Sequence, residues 1–146
     1  ILSLSSDPVN YLMWSHYADS HRGICLEIEV NEELCKQNNI FHRNVVYKKD
    51  LVKILPNRNT KDQVKHILKH KISKWRYEKE IRFFIKNDEP NSYKIGDIKA
   101  ILIGSRCSDT DKNLIKEWIR NTQIELKNVD FNHFTNKIEI ITELGK

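Results

Sequence analysis

The sequence predicts an α+β fold: a mixed, mostly antiparallel sheet with two or three packing helices. Three observations predict it. Stretches with the period-2 alternation of strands outnumber those with the 3.6 period of helices. They do not alternate regularly with helices, as a doubly wound parallel sheet would require. The chain closes on two strand-like runs, 123–131 and 137–143, which read as antiparallel neighbours. The 146 residues fit one domain, with neither an internal repeat nor a low-complexity tract.

Ile1–Ser5 reads as a strand, and Asp7-Pro8 then opens a short helix through Leu12, Met13 and Tyr17, since Asp can cap and Pro suits a first turn. His21-Arg22-Gly23 turns into the strand Ile24–Val30, whose alternation sets Ile24, Leu26, Ile28 and Val30 on one face. Asn31 caps a helical turn through Leu34, Phe41–Tyr47 is a further strand, and 50–59 is a loop or short helix ending at Pro56. Thr60 begins the clearest helix. Val64, Ile67, Leu68, Ile72 and Trp75 fall on one apolar stripe, with Lys61, Lys65 and Lys69 on another face. A strand over 79–86 follows at once, and a loop covers 87–92. Ile98–Ile103 is a β-branched run stopped by Gly104. Ser108, three residues before Asp111, resembles a capping box opening a helix that carries Leu114, Ile115, Trp118 and Ile119.

Composition narrows the class. With 39% hydrophobic and 31% charged residues the chain is neither disordered nor a membrane protein in type, and no apolar run approaches the ~20 residues that span a bilayer. Cys25, Cys35 and Cys107 are odd in number and far apart, which suits a reducing compartment and a cytoplasmic location better than a disulfide framework. The one methionine is Met13 and strand-like sequence starts at the first residue, so the chain is expected to be the later portion of a longer protein. The net charge of +5 is concentrated: residues 60–82 carry 8 basic groups against 3 acidic and hold the whole excess. Such a stripe can gather phosphates, or simply form a solvated helix face.

Three constellations could carry chemistry. Residues 14–22 crowd Trp14, Ser15, His16, Tyr17, Asp19, His21 and Arg22 between a helix and a strand. Aromatics there can stack on a ligand ring and imidazoles can hydrogen-bond it, or the turn can be a surface loop with a buried Trp anchor. His16 and His21 are five apart, which misses the same-face helical spacing, so no metal set is expected. Ser15 lacks the glycine elbow of a nucleophile. In the second constellation a strand would put Lys79, Ile81, Phe83 and Ile85 on a core face and Glu78, Glu80, Arg82 and Phe84 on the other. A carboxylate there can meet a ribose hydroxyl or a developing sugar cation while Arg82 orients it or takes a phosphate. The same pattern also describes a solvent-facing strand whose charge pairs are worth under ~1 kcal/mol each. The third, Ile103-Gly104-Ser105-Arg106, is either a phosphate-holding turn or a plain connection.

The run Leu12-Met13-Trp14-Ser15-His16-Tyr17-Ala18-Asp19 with His21-Arg22-Gly23-Ile24-Cys25-Leu26, the block Trp75-x-Tyr77-Glu78-x-Glu80-x-Arg82 and, more loosely, Ile98–Arg106 resemble a widespread bacterial family of uncharacterised domains. The resemblance runs from about Ile1 to Trp118, and the family's usual N-terminal part is not in this chain. The layout is distantly similar to the ADP-ribosyltransferase superfamily, whose enzymes split NAD at the nicotinamide–ribose bond. That similarity implies an NAD-using domain in a bacterial toxin or anti-phage system. Glu80 would be its catalytic carboxylate, Glu78 an accessory, and Trp14, Ser15, His16, Tyr17, His21 and Arg82 ligand-binding residues. It requires the Trp14–Tyr17 turn and the Glu78/Glu80 pair to share one cavity. The alternative is a non-catalytic module that binds a nucleotide or nucleic acid through a basic helix over 60–76, using Lys61, Lys65, Lys69, Lys71 and Lys74.

Overall fold

The computed structural model describes residues 1–50, 53, 59–85, 93–132, 134–135 and 137–142. Along the chain run β1 (Leu2–Ser5), α1 (Tyr11–Tyr17), β2 (Ile24–Val30), α2 (Glu32–Gln37), β3 (Ile40–Asn44), β4 (Val46–Lys48), α3 (Thr60–Lys69) and β5 (His70–Ile72). A 3-10 helix (Ser73–Glu78) leads into β6 (Glu80–Ile85), followed by β7 (Gly96–Ile103), α4 (Asp109–Ile119), β8 (Glu125–Asn132) and β9 (Lys137–Thr142). Helices and mixed, mainly antiparallel sheets make this the α+β class that the alternation predicts. The chain gathers into two compact units, one of residues 1–7 and 35–91, the other of residues 8–34 and 92–146.

In the first unit β6 lies between β1 and β3, antiparallel to both. Directly opposed residues share a sheet face. On one face Phe83, 4% exposed, stacks on His42 at 4.9 Å. On the other, Glu80, Arg82 and Phe84 stand beside Ser3 and Ser5 of β1 and Phe41 and Arg43 of β3. The expected strand over 41–47 breaks at Val45, whose N–H donates to the Glu80 carbonyl at 2.9 Å; beyond it β4 pairs in parallel with β5.

That pairing also corrects the basic helix expected over 60–76. Asn59 caps α3 by accepting from the Lys61 N–H at 2.9 Å, but the helix ends at Lys69. His70, Lys71 and Ile72 are extended against Val46, Tyr47 and Lys48, so Ile72, Trp75, Lys71 and Lys74 are not on the helix. The β-ladder of a β-branched residue outweighs continuation of the helical stripe. Val64 and Ile67 of that stripe are exposed, at 47% and 41%. A second correction follows at Lys79. It ends the 3-10 helix in the left-handed region (φ 44°), so β6 begins at Glu80 and Glu78 reaches its place from the 3-10 helix, not from the strand. Most of the 50–59 segment and the whole 87–92 loop lie outside the described residues.

The second unit is a four-stranded sheet ordered β2-β7-β8-β9, with β7 and β8 parallel and joined through α4, and the other pairs antiparallel. It is covered on both faces. Trp14 and Ala18 of α1 pack with Ala100, Leu102, Val129 and Ile138, while Ile115 of α4 packs with Ile101, Ile103 and Cys107. The unbroken apolar run at the end of β7 is that of a strand buried on both sides. Ser108 caps α4 by accepting from the Asp111 N–H at 3.1 Å. Asn10, not Asp7, caps α1, accepting from the N–H groups of Leu12 and Met13. Asp7 instead takes the Lys79 ammonium at 2.7 Å in the first unit. A bulge between Glu27 and Ile28 breaks the expected face of β2: Cys25 packs on the core while Ile24 and Leu26 are exposed.

Candidate functional site

The first unit buries two carboxylates. Glu78 and Glu80 are 3% and 6% exposed, and the Lys71 ammonium bonds both, reaching Glu80 at 3.2 Å. Arg82 grips Glu80 with a two-pronged fork, Nε to Oε1 at 2.7 Å and Nη2 to Oε2 at 3.1 Å, and its Nη1 donates to the Leu68 carbonyl at 2.7 Å. The Glu80 N–H donates to the Tyr47 hydroxyl at 2.9 Å, and the Ser5 hydroxyl donates to the Glu78 carbonyl at 2.7 Å. Burial pushes the Glu80 carboxyl up, but hydrogen bonds from Arg82, Ser3 and Lys71 and the Arg82 charge overcome it and hold the group at about 2. Burial pulls Lys71 down, and its two carboxylate partners more than restore it, leaving it above the usual lysine range. Two negative and two positive charges thus balance in one partly dry cluster, the condition under which buried ions are tolerable.

Arg82 has five N–H donors and three are used inside the protein. It also lines a cavity of about 650 Å³ in the same unit, so the remaining donors belong to a guanidinium held in place beside open space. β3 and β6 supply Phe41, Arg43, Arg82 and Phe84 to the wall, and α3 supplies Asp62, Lys65, His66, Leu68 and Lys69. Phe41 and Phe84 stack at 5.1 Å with planes 16° apart, and Phe41 is 47% exposed. Asp62, Lys65, His66 and Lys69 follow the i, i+3, i+4, i+7 spacing, so it is the polar stripe of α3 that faces the cavity. Lys65 is 3.9 Å from Asp62, whereas among the described residues neither Arg43 nor Lys69 has an acidic partner. The volume is that of a small-molecule site.

The Trp14–Gly23 turn belongs to the second unit. Trp14 is a core side chain, 3% exposed, with its indole N–H donating to the Pro8 carbonyl at 2.7 Å. Asp19, Ser20 and His21 are left-handed in succession, with φ of 44°, 54° and 68°. Each such residue costs roughly 1–2 kcal/mol without glycine. Backbone bonds hold the turn: His21 N–H to the Trp14 carbonyl at 3.2 Å, Gly23 N–H to Ala18 at 2.8 Å, and Arg106 N–H to His21 at 3.0 Å. Gly104 lies so close that a Cβ there would be 2.2 Å from the His21 oxygen. The third constellation therefore braces the first. Ser15 donates to the Tyr11 carbonyl at 3.0 Å, which leaves its oxygen to accept from His21 Nε2 at 3.0 Å. Burial, and the nearby Arg106 charge, push the His21 imidazole below its ordinary range and keep it neutral at pH 7. His16 and Tyr17 are exposed, their rings edge to face at 6.3 Å, and Arg22 pairs with Asp19 at 2.9 Å.

The expected site residues thus fall into two sets. Glu78, Glu80 and Arg82 are brought together in the first unit, with Lys71 joined to them and Lys65 and Lys69 on the adjoining cavity wall. Trp14, Ser15, His16, Tyr17 and His21 are in the second unit; Lys61 stands on α3 and Lys74 in the 3-10 helix. Phe41, Arg43, Asp62 and His66 escape the sequence reading. The mirrored dyads Phe41-x-Arg43 and Arg82-x-Phe84 are the signal that could have found the first two, since antiparallel pairing sets like against like. Among the described residues no group of three or more His, Cys, Asp or Glu could hold a metal ion, and no helix is long and apolar enough to cross a membrane.

No curated protein and no solved structure matches this chain. Residues 13–83, from α1 into β6, match the model of a family described as a protein of unknown function (DUF2971).

Proposed function

We propose that this chain binds a nucleotide or NAD-like small molecule in the cavity of its first unit. The observation that carries the reading is the Arg82 guanidinium, fixed by Glu80 and the Leu68 carbonyl on a wall that also bears a stacked Phe41–Phe84 pair. A pre-oriented guanidinium suits a phosphate, and an exposed phenyl ring beside it suits a planar base. In this reading Glu80, Glu78 and Lys71 are the brace that positions Arg82, with Arg43 as a second cation.

Calorimetric titration of the chain with ATP, NAD and adenosine tests it. ATP and NAD are expected to bind, and Phe41→Ala, at an exposed position, to weaken both by roughly 5- to 150-fold through lost stacking. No heat and no competition at millimolar ligand, or a Phe41→Ala variant that binds as the wild type does, would sink the reading.

Transfer chemistry on NAD is the second reading. It is favoured by one observation, that Glu80 stays ionised on the strand face it shares with the cavity residues Arg82 and Phe84. Against it, both Glu80 oxygens already hold cations, so a ribose hydroxyl would have to compete with Arg82 and Lys71. Release of nicotinamide from NAD that is abolished by Glu80→Gln in a folded protein would establish it; no release would leave binding alone.

A further inference from the structure

We infer that the ligand of this cavity is a nucleoside polyphosphate recognised without a divalent cation; this rests on the nucleotide reading and names its ligand class. Cations reach the cavity from three elements, two strands of the sheet and one helix. Arg43 and Arg82 are opposed residues of β3 and β6, and Lys65 and Lys69 stand one turn apart on α3, a rise of ~6 Å. Glu80 balances Arg82 and Asp62 offsets Lys65 in part, so Arg43 on the sheet and Lys69 on the helix are the charges left over. A phosphate chain running from one to the other answers both, whereas a lone phosphate on Arg82 leaves Lys69 on the helix without a counter-charge. Ions in a concave, low-dielectric wall focus their field, which favours the more highly charged ligand.

The same wall argues for direct recognition. A metal-bound polyphosphate is usually held through one or two protein carboxylates on the metal. Among the described lining residues the one carboxylate is Asp62, and it faces Lys65. Magnesium would therefore compete with the lysines for the phosphate oxygens instead of joining them.

The experiment is a calorimetric titration of the full chain with AMP, ADP and ATP, in EDTA and in excess magnesium, repeated on a Lys65→Gln/Lys69→Gln variant. Both lysines are exposed, and circular dichroism checks that the variant folds. In EDTA, ATP is expected to bind at least tenfold more tightly than AMP, magnesium to weaken ATP, and the ATP-to-AMP ratio to fall toward one in the variant. Binding of AMP and ATP with equal affinity, or tightening of ATP by magnesium, would overturn this inference and leave the nucleotide reading in place. Failure of every nucleotide to bind would remove both.

Discussion

Replacing Glu80 by glutamine should cost the protein stability in a pH-dependent way. The carboxyl sits at about 2 where an unperturbed one titrates at 4.5. A difference of that size favours the ionised folded state by about 3 kcal/mol, since each pH unit is worth about 1.4 kcal/mol. Lys71 keeps a quarter of its side-chain exposure, so water screens part of the attraction and roughly 2 kcal/mol is the expected value. Glutamine keeps one acceptor oxygen for the Arg82 fork but turns a donor toward Lys71 or Arg82, and the cluster becomes net positive. Because the folded value lies below the unfolded one, this contribution is fully present above pH 4.5 and is lost as pH falls from there toward 2. Urea unfolding of wild type and Glu80→Gln at pH 7 should differ by about 2 kcal/mol, and at pH 2.5 by well under half of that, since a protonated glutamate resembles glutamine. A gap below 0.5 kcal/mol at pH 7, on the order of measurement scatter, or one that does not shrink in acid, would show that the charge cluster does not brace β6.

Other expectations are simpler to check. Gly104→Ala drives a methyl against the His21 carbonyl and should lower the melting temperature by at least ~5 °C, with the Asp19–His21 amide resonances shifting most. Ser108→Ala removes the cap of α4 and should cost about 1 kcal/mol by chemical denaturation. Trp14→Phe loses the bond to the Pro8 carbonyl and leaves a gap in the core, for an expected loss of roughly 2 kcal/mol measured the same way. His21 should titrate below its ordinary range in an NMR series, and since folding favours its neutral form the linked stability is lost as pH falls through that of a free histidine.

How much of this is legible in the residues depends on distance along the chain. β1, the Asn31 cap of α2, the Ser108 cap of α4 and the closing pair β8 and β9 follow from neighbours a few positions apart, and periodicity finds them. What depends on partners far away does not. The end of α3 is decided by β4, some 24 residues earlier, and the bulge that turns β2 over is set by its pairing with β7. Glu78 and Glu80 read as one alternating pair. They meet on Lys71 for a different reason, a left-handed turn at Lys79 that no local pattern announces. Arg82 is legible as an anion binder by type, but the cavity is not, because nothing in Phe41-x-Arg43 says which strand it will face.

The interleaving of the two units constrains how the chain can be made. The sheet of the first unit joins residue 2 to residue 83, and that of the second joins residue 24 to residue 103 and then to residues beyond 125. During synthesis on the ribosome neither sheet can close until long after its first strand has emerged. Such long loops slow folding, and β2 must wait for its partner β7 while residues 35–91, the larger part of the first unit, are synthesised in between. Deleting residues 1–7 would strip β6 of one neighbour and leave its edge open to a second molecule, so soluble expression should depend on that segment.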